Sequence, residues 1–365
     1  MRDGAGPEHL AALARGPRAA GSVGERDARE YASRVLREAG YDVTTETFDY
    51  SALPGRLGTP LGSALALSTV LASSWIGVGG ESPRVAVIVL VIGLGLVALA
   101  ATRMLGNGVL TIPLMRASAV NVVGRRPASE APRVWLVAHL DSKSQPVPSA
   151  LRAGGIVVLA LGIVAALVAA ALTLAGAPSR TLWWIAGVLA TGGAIPAMLS
   201  VVGNDSDGAV DNASGVAAVL AAAQMLPLEA RVGVLLPSAE ELGLAGARAW
   251  VRAWRADAGI ALNCDGVDDD GALTIMYTGT RPDALMRTLE AVVDHTPRMM
   301  RMPLGLLTDS VAFSDAGWQA VTVSRGSLAT LRRVHTRRDS LAVLRGGGID
   351  EVSGLLARAA TELAR

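Results

Sequence analysis

The segment RVGVLLPSAEELGLAG (residues 231–246) reads as a buried strand that ends on two adjacent carboxylates and turns into a helix. The apolar run Val232–Leu236 is short and uncharged, as a strand covered on both faces would be. Glu240 and Glu241 follow it directly, and two readings of the pair stay open. Ser238 could cap the helix, with the acids of the first turn complementing its dipole. Alternatively, the pair stands just beyond the carboxyl end of a strand, where α/β sheets collect their chemistry.

Further apolar runs predict the rest of the sheet: DVTTETF, ASAVNVVGRR, RVWLVAHL, GIALNCDGV, ALTIMYTG and QAVTVSRG. Ala28, Tyr31, Ala32, Val35 and Leu36 recur at helical spacing before Gly40, which predicts a helix over 25–39. Further helices are expected at 213–225, 244–256, 282–294 and 348–363. Alternating strands and helices imply a three-layer αβα domain around a largely parallel mixed sheet.

The 365 residues are 51% hydrophobic, with a mean hydropathy of +0.41, high for a wholly water-soluble chain. A formal charge of +1 gives no basic field, so no nucleic-acid partner is expected. Lys143 is the single lysine, the other cations being arginines. The single cysteine, Cys264, excludes an internal disulfide and a cysteine-based zinc site. No apolar h-region opens the chain, so no signal peptide is expected.

The hydrophobicity is concentrated in four stretches, 57–80, 84–104, 153–177 and 181–203, each with about 20 uncharged residues, enough to cross ~30 Å of hydrocarbon. The short links ESPR and PSRT make them two hairpins, with Trp75, Trp183 and Trp184 near the links as an aromatic belt would require. Arg56, Arg103, Arg116, Lys143 and Arg152 flank the opposite ends, against Arg84 and Arg180 in the links. This bias implies a multi-pass integral membrane protein with a cytoplasmic polar domain, the bilayer being a partner. The expected organisation is a polar domain in three pieces (1–56, 105–150 and 204–365) interrupted by transmembrane hairpins at 57–104 and 151–203.

Several groups could join the glutamate pair at strand ends. RVWLVAHLD supplies His139 and Asp141, two residues apart and so on one side of the strand. Asp211 precedes a helix in GNDSDGAVDNASG, Asp265 ends GIALNCDG, and His335 lies in RRVHTRRDS. Singly, Asp211 reads as a helix cap and His335 as an exposed loop residue. Together they form a nitrogen/oxygen donor set suited to zinc, with cobalt or manganese as substitutes. NDSDG and DGVDDDG lack the closing glutamate of a calcium loop and read as solvated turns. His9 and His295 have no partners nearby in sequence and receive no role.

The ordered series HLD, VDNASG, AEELGLAG, CDG and HTRRDS resembles metallopeptidase family M28, the di-zinc aminopeptidase and glutamate carboxypeptidase-like family, from about residue 25 onward outside the hairpins. The resemblance implies a zinc-exopeptidase-like domain that binds two Zn²⁺ and cleaves peptides with a free N-terminus. It implies His139 and Asp265 on one metal, Glu241 and His335 on the other, and Asp211 bridging both. Asp141 would orient the His139 ring, and Glu240 would be the general base acting on a metal-activated water. The resemblance also implies a cis peptide between Asp211 and Asn212. In TDSVAFSDAGW, Ser310 stands where the family has histidine, and the preceding MPLGLL is apolar, which leaves an extra oxyanion donor without a residue to supply it. Two relatives of the fold give alternatives: a single-zinc glutaminyl-cyclase-like acyltransferase, and a non-catalytic membrane-complex component. Because the second hairpin, inserted just after His139 and Asp141, separates His139 from Asp211, the relative position of these ligands is expected to depend on it.

Overall fold

The computed structural model describes residues 5–80, 82–127, 131–254, 258–293, 295–303 and 305–365. The chain divides into two compact units, one of Met1–Ser51, Val109–Ser144 and Gly203–Arg365, the other of Ala52–Gly108 and Gln145–Val202.

The first unit holds an eight-stranded sheet: β1 (Asp42–Ser51), β2 (Arg116–Arg125), β3 (Val134–Val137), β4 (Val232–Leu236), β5 (Ile260–Val267), β6 (Ala272–Tyr277), β7 (Arg298–Arg301) and β8 (Gln319–Gly326). Its order is β1-β2-β4-β3-β5-β8-β6-β7. The central strands β4, β3, β5 and β8 run parallel, while β2 joins β4 and β6 joins β8 in antiparallel fashion. The four central strands therefore end on the same side, which brings the loops after β3, β4 and β5 together.

Side chains of the central strands alternate between two cores. On β3, Val134 and Leu136 pack with the helices Ala5–Leu13, Val23–Glu38, Gly215–Met225 and Gly347–Ala364 on one face. Trp135 and Val137 turn to the other face, where Trp250, Phe313 and Trp318 of the opposite layer meet them. Burial on both faces explains why these strands read as continuous apolar runs.

Some elements differ from expectation. β7 is an edge strand of sequence RMMR, too short and too polar to give a pattern. The helices Ala5–Leu13, Asp309–Asp315 and Leu328–Arg333 were also not anticipated. The helix expected at 244–256 spans Ala245–Ala253, and that expected at 282–294 spans Asp283–Ala291; residues 255, 256 and 294 lie outside the described residues.

The second unit is four packed helices, Leu53–Gly79, Pro83–Met104, Ser149–Leu174 and Arg180–Met198, all long and apolar enough to cross a membrane. At 19–27 residues they span roughly 28–40 Å. Small residues such as Ala86, Ala166, Ala186 and Ala190 face inward, whereas Ile88, Val91, Val164 and Val188 are exposed. Large apolar side chains on the outside and small ones within suit a lipid surround. Trp75 and Trp184 are exposed, but Trp183 is buried, so it does not join an exposed belt. Its indole fills the space beside Gly77, where a Cβ would lie 2.5 Å from the ring.

Candidate metal centre

The loop after β4 does not start a capped helix. Ala239 takes a left-handed φ of 56°, and Glu240–Leu242 form a single 3-10 turn. Ser238 caps nothing; its hydroxyl donates to the buried Glu25 carboxylate. Instead, Asp141, at the end of the β3 loop, accepts the Glu240 N–H (3.0 Å) and the Glu241 N–H (3.2 Å) on its two oxygens. The turn is thus fixed by a carboxylate from the neighbouring strand, and both glutamates are buried.

Asp211 sits in a distorted turn before helix Gly215–Met225, and the Asp211–Asn212 peptide is cis. The Asn212 side chain donates to Cys264 O (2.9 Å), and its oxygen accepts from the N–H groups of Gly215 and Gly266. This ties the Asp211 turn to the end of β5, which carries Asp265. A Cβ on Gly215 would collide with Asn212 Oδ1 and Cys264 O, so only glycine fits there. Asp339, four residues after His335, accepts the backbone N–H groups of Val210 (2.6 Å) and Asp211 (3.2 Å). His335 itself has a left-handed φ of 65°.

The side chains converge around Asp211. Its Oδ1 lies 3.2 Å from His139 Nε2 and its Oδ2 lies 2.8 Å from His335 Nε2. His139 Nε2 is also 3.7 Å from Asp265 Oδ1, and His335 Nε2 is 3.4 Å from Glu241 Oε1. Two groups result, His139/Asp211/Asp265 and Asp211/Glu241/His335, each with ligand atoms within 4.8 Å of one another. Glu240 Oε2 lies 3.9 Å from His139 Nε2, beside the first group. The His139 Nδ1 is 3.0 Å from the Asp141 backbone carbonyl and 3.7 Å from its carboxylate, so the carbonyl sets the ring orientation.

Charge is unevenly shared. Burial raises Glu240 well above the usual carboxylate range, with the Glu241, Asp309 and Asp265 charges adding to it. Asp211 is held well below that range despite its burial, by the His139 and His335 imidazoles on either side of it. Burial opposes a charge on Glu241, but the Lys143 ammonium in contact with its Oε2 holds it down. Removing one partner of a buried pair leaves the other uncompensated. Lys143→Met is therefore expected to destabilise the zinc-free protein by roughly 3 kcal/mol. Zinc should stabilise this variant more than wild type, since the metal replaces the missing charge. Thermal unfolding with and without zinc reads both effects; an unchanged zinc-free Tm would mean that the pair is not formed in solution.

Sequence reasoning missed several residues that bear on the site. Asp309 is fully buried with both carboxylate oxygens unpartnered among the described residues, and burial raises it to about 8. Ser310, which the sequence did single out, bonds Thr308 and Thr322 in a buried hydroxyl cluster. Glu25 lies behind the glutamate turn, accepts the Gly21 N–H (2.7 Å), and is raised by burial, then by the Asp141 charge, to about 7. Between the ordinary 4.5 and 7, the folded protein keeps a proton that the unfolded chain has released. Stability should then fall across that window as pH rises, by roughly 3 kcal/mol, and level off above it. Glu25→Gln keeps an acceptor for the Gly21 N–H and turns an N–H toward Ser238 Oγ, which then accepts, without ionising. Its Tm advantage over wild type should grow from pH 4.5 to 7; parallel Tm curves would refute the assignment.

The donor set fits zinc. His139 Nε2 and Glu241 Oε1 are buried with no hydrogen-bond partner among the described residues, as ligand atoms without their ion would be. Imidazole nitrogens and carboxylate oxygens at these separations suit such an ion.

Comparisons with known proteins bear on the family and the fold. Peptidase family M28 matches residues 196–360, a stretch holding Asp211, Glu240, Glu241, Asp265 and His335. No curated protein sequence matches the chain. Among solved structures, it is similar to the aminopeptidase from Aneurinibacillus sp. strain AM-1, at 15% identity over 99% of this chain and 93% of that one, with a TM-score of 0.57. The zinc aminopeptidase BSAP from Bacillus subtilis aligns at 13% identity over 98% and 94%, with a TM-score of 0.56. A Porphyromonas gingivalis glutaminyl cyclase aligns at 14% identity over 98% and 97%, with a TM-score of 0.53. At such identities the likeness is one of fold. Residues 196–360 thus match the peptidase family M28, and the mixed α/β sheet has the fold of solved zinc exopeptidases.

Proposed function

We propose that the protein is a membrane-anchored di-zinc aminopeptidase acting on peptides with a free N-terminus. The observation that carries this reading is the division of the Asp211 carboxylate, one oxygen toward His139 and the other toward His335. That division gives two overlapping ligand groups: His139 and Asp265 would hold one ion, Glu241 and His335 the other. When bound, the pair supplies Lewis acidity to the scissile carbonyl and lowers the pKa of a water toward neutrality. Glu240 would take a proton from the attacking water and return it to the leaving amine; its buried position beside His139 suits both steps. Asp141 orients the His139 ring through its carbonyl and the Glu240 backbone through its carboxylate.

The four apolar helices support an integral membrane location, and the arginine-rich flanks support a cytoplasmic catalytic unit. A second reading is a glutaminyl-cyclase-like acyltransferase, favoured by the glutaminyl cyclases among the structures of similar fold. Metal analysis of the purified protein, with a panel of aminoacyl anilides and N-terminal glutaminyl peptides, separates the two. Two zinc ions per chain and release of the aniline from the anilide support the aminopeptidase. One zinc with cyclisation of the glutaminyl peptide and no hydrolysis would replace it with the cyclase.

A further inference from the structure

Arg18 lies between helices Ala5–Leu13 and Val23–Glu38 and is 2% exposed. All its side-chain hydrogen bonds among the described residues go to backbone carbonyls. Nε donates to Leu140 O (3.0 Å), Nη1 to Leu13 O (3.1 Å) and Asp207 O, and Nη2 to Gly208 O (3.0 Å). Its backbone is pinned as well: Arg18 N–H donates to Ser142 Oγ (3.0 Å), and Ser142 N–H donates to Arg18 O (3.1 Å). Ser142 Oγ in turn donates to Ser206 O (3.2 Å).

These carbonyls belong to two loops. Leu140 lies between His139 and Asp141; Asp207 and Gly208 lead into Asp211. Between the two loops the chain leaves for Gln145–Val202, which belong to the other unit. At the point of departure, Ser144 and Gly203 pair through both backbone hydrogen bonds, 3.0 and 2.8 Å. Contacts within the first unit join the two loops on either side of the second hairpin. A guanidinium suits this task because its donors are fixed in one plane and it stays charged when buried. The carboxylates of Asp339, Asp141 and Asp211 act on that charge from nearby.

We propose that Arg18 is a positioning residue of the metal centre: its planar fork holds the His139 loop and the Asp211 loop at the spacing their ligands need. The role rests on the zinc reading above. Arg18 touches neither ion nor substrate and acts through the backbone of residues 140 and 208.

A matched control exists in Arg126, also buried, whose guanidinium donates to the carbonyls of Ala39, Ala223 and Leu226 in the core. The experiment uses the full-length protein in detergent, with zinc affinity from competition with a chromophoric chelator and the visible absorption of the Co²⁺-substituted form. Arg18→Met is expected to bind zinc about 10–100-fold more weakly, with a changed Co²⁺ spectrum, as when support behind metal ligands is lost. Arg126→Met should lower Tm while keeping wild-type zinc affinity and spectrum. Arg18→Lys restores the charge but not the fork, and should remain weakened at least several-fold. Should Arg18→Met fail to fold, Ser142→Ala decides, with a several-fold loss expected. Wild-type affinity in Arg18→Met, Arg18→Lys or Ser142→Ala, or an equal loss in Arg126→Met, overturns the role. A wild-type protein that binds no zinc overturns the metal reading itself, and this role with it.

Discussion

Glu240→Gln is expected to lower hydrolysis by ~10²–10⁴-fold while leaving zinc content unchanged. The amide is nearly isosteric with the carboxylate, and the Glu240 N–H to Asp141 hydrogen bond comes from the backbone, so the turn should survive the change. What is lost is a proton acceptor beside His139, in a buried position where water cannot readily substitute. Glu241→Gln forms the natural contrast. Its Oε1 faces His335 and its Oε2 meets Lys143, so this change should cost zinc as well as turnover. Kinetics on an aminoacyl anilide, with metal analysis of the same samples, read both outcomes. Near-normal turnover in Glu240→Gln would mean that the division of labour between the two glutamates is wrong.

The two glutamates were legible because they follow β4, a strand whose apolar run has a plain physical cause in burial on both faces. The same cause made β3 and β5 legible, and with them the strand ends carrying His139 and Asp265. The helical hairpins were legible from length and polarity alone. What escaped was long-range and indifferent to side-chain type. Arg18 sits in a proline- and glycine-rich turn without periodicity, and its partners are backbone carbonyls that any residue would present. Ser238 sits where a capping residue belongs, yet a left-handed Ala239 diverts the chain and gives its hydroxyl to Glu25. Trp183 lies near a link as a belt residue would, but Gly77, distant in sequence, makes room for it inside the helical unit. Local pattern identifies the elements and the ends where chemistry gathers; the contacts that hold those ends in place depend on tertiary neighbours.

Asp211→Ala is expected to have the larger effect on the metals. Asp211 is the one side chain in both ligand groups, so its loss removes a donor from each. Both ions would also lose the negative charge that lies between them and reduces their mutual repulsion. Zinc content should therefore fall well below two per chain, and hydrolysis should fall past the ~10⁴-fold limit set for loss of a base alone. The turn itself should persist, because Asn212 and Asp339 hold it through contacts that do not use the Asp211 carboxylate. Asp211→Asn sharpens the test. One amide oxygen can still serve one ion, so this variant should retain a single, weakly held zinc and little activity. The measurements are zinc stoichiometry by metal analysis and secondary structure by circular dichroism. If Asp211→Ala kept two zinc ions at wild-type affinity, the carboxylate would not be the shared ligand, and the two groups around His139 and His335 would have to act as separate sites.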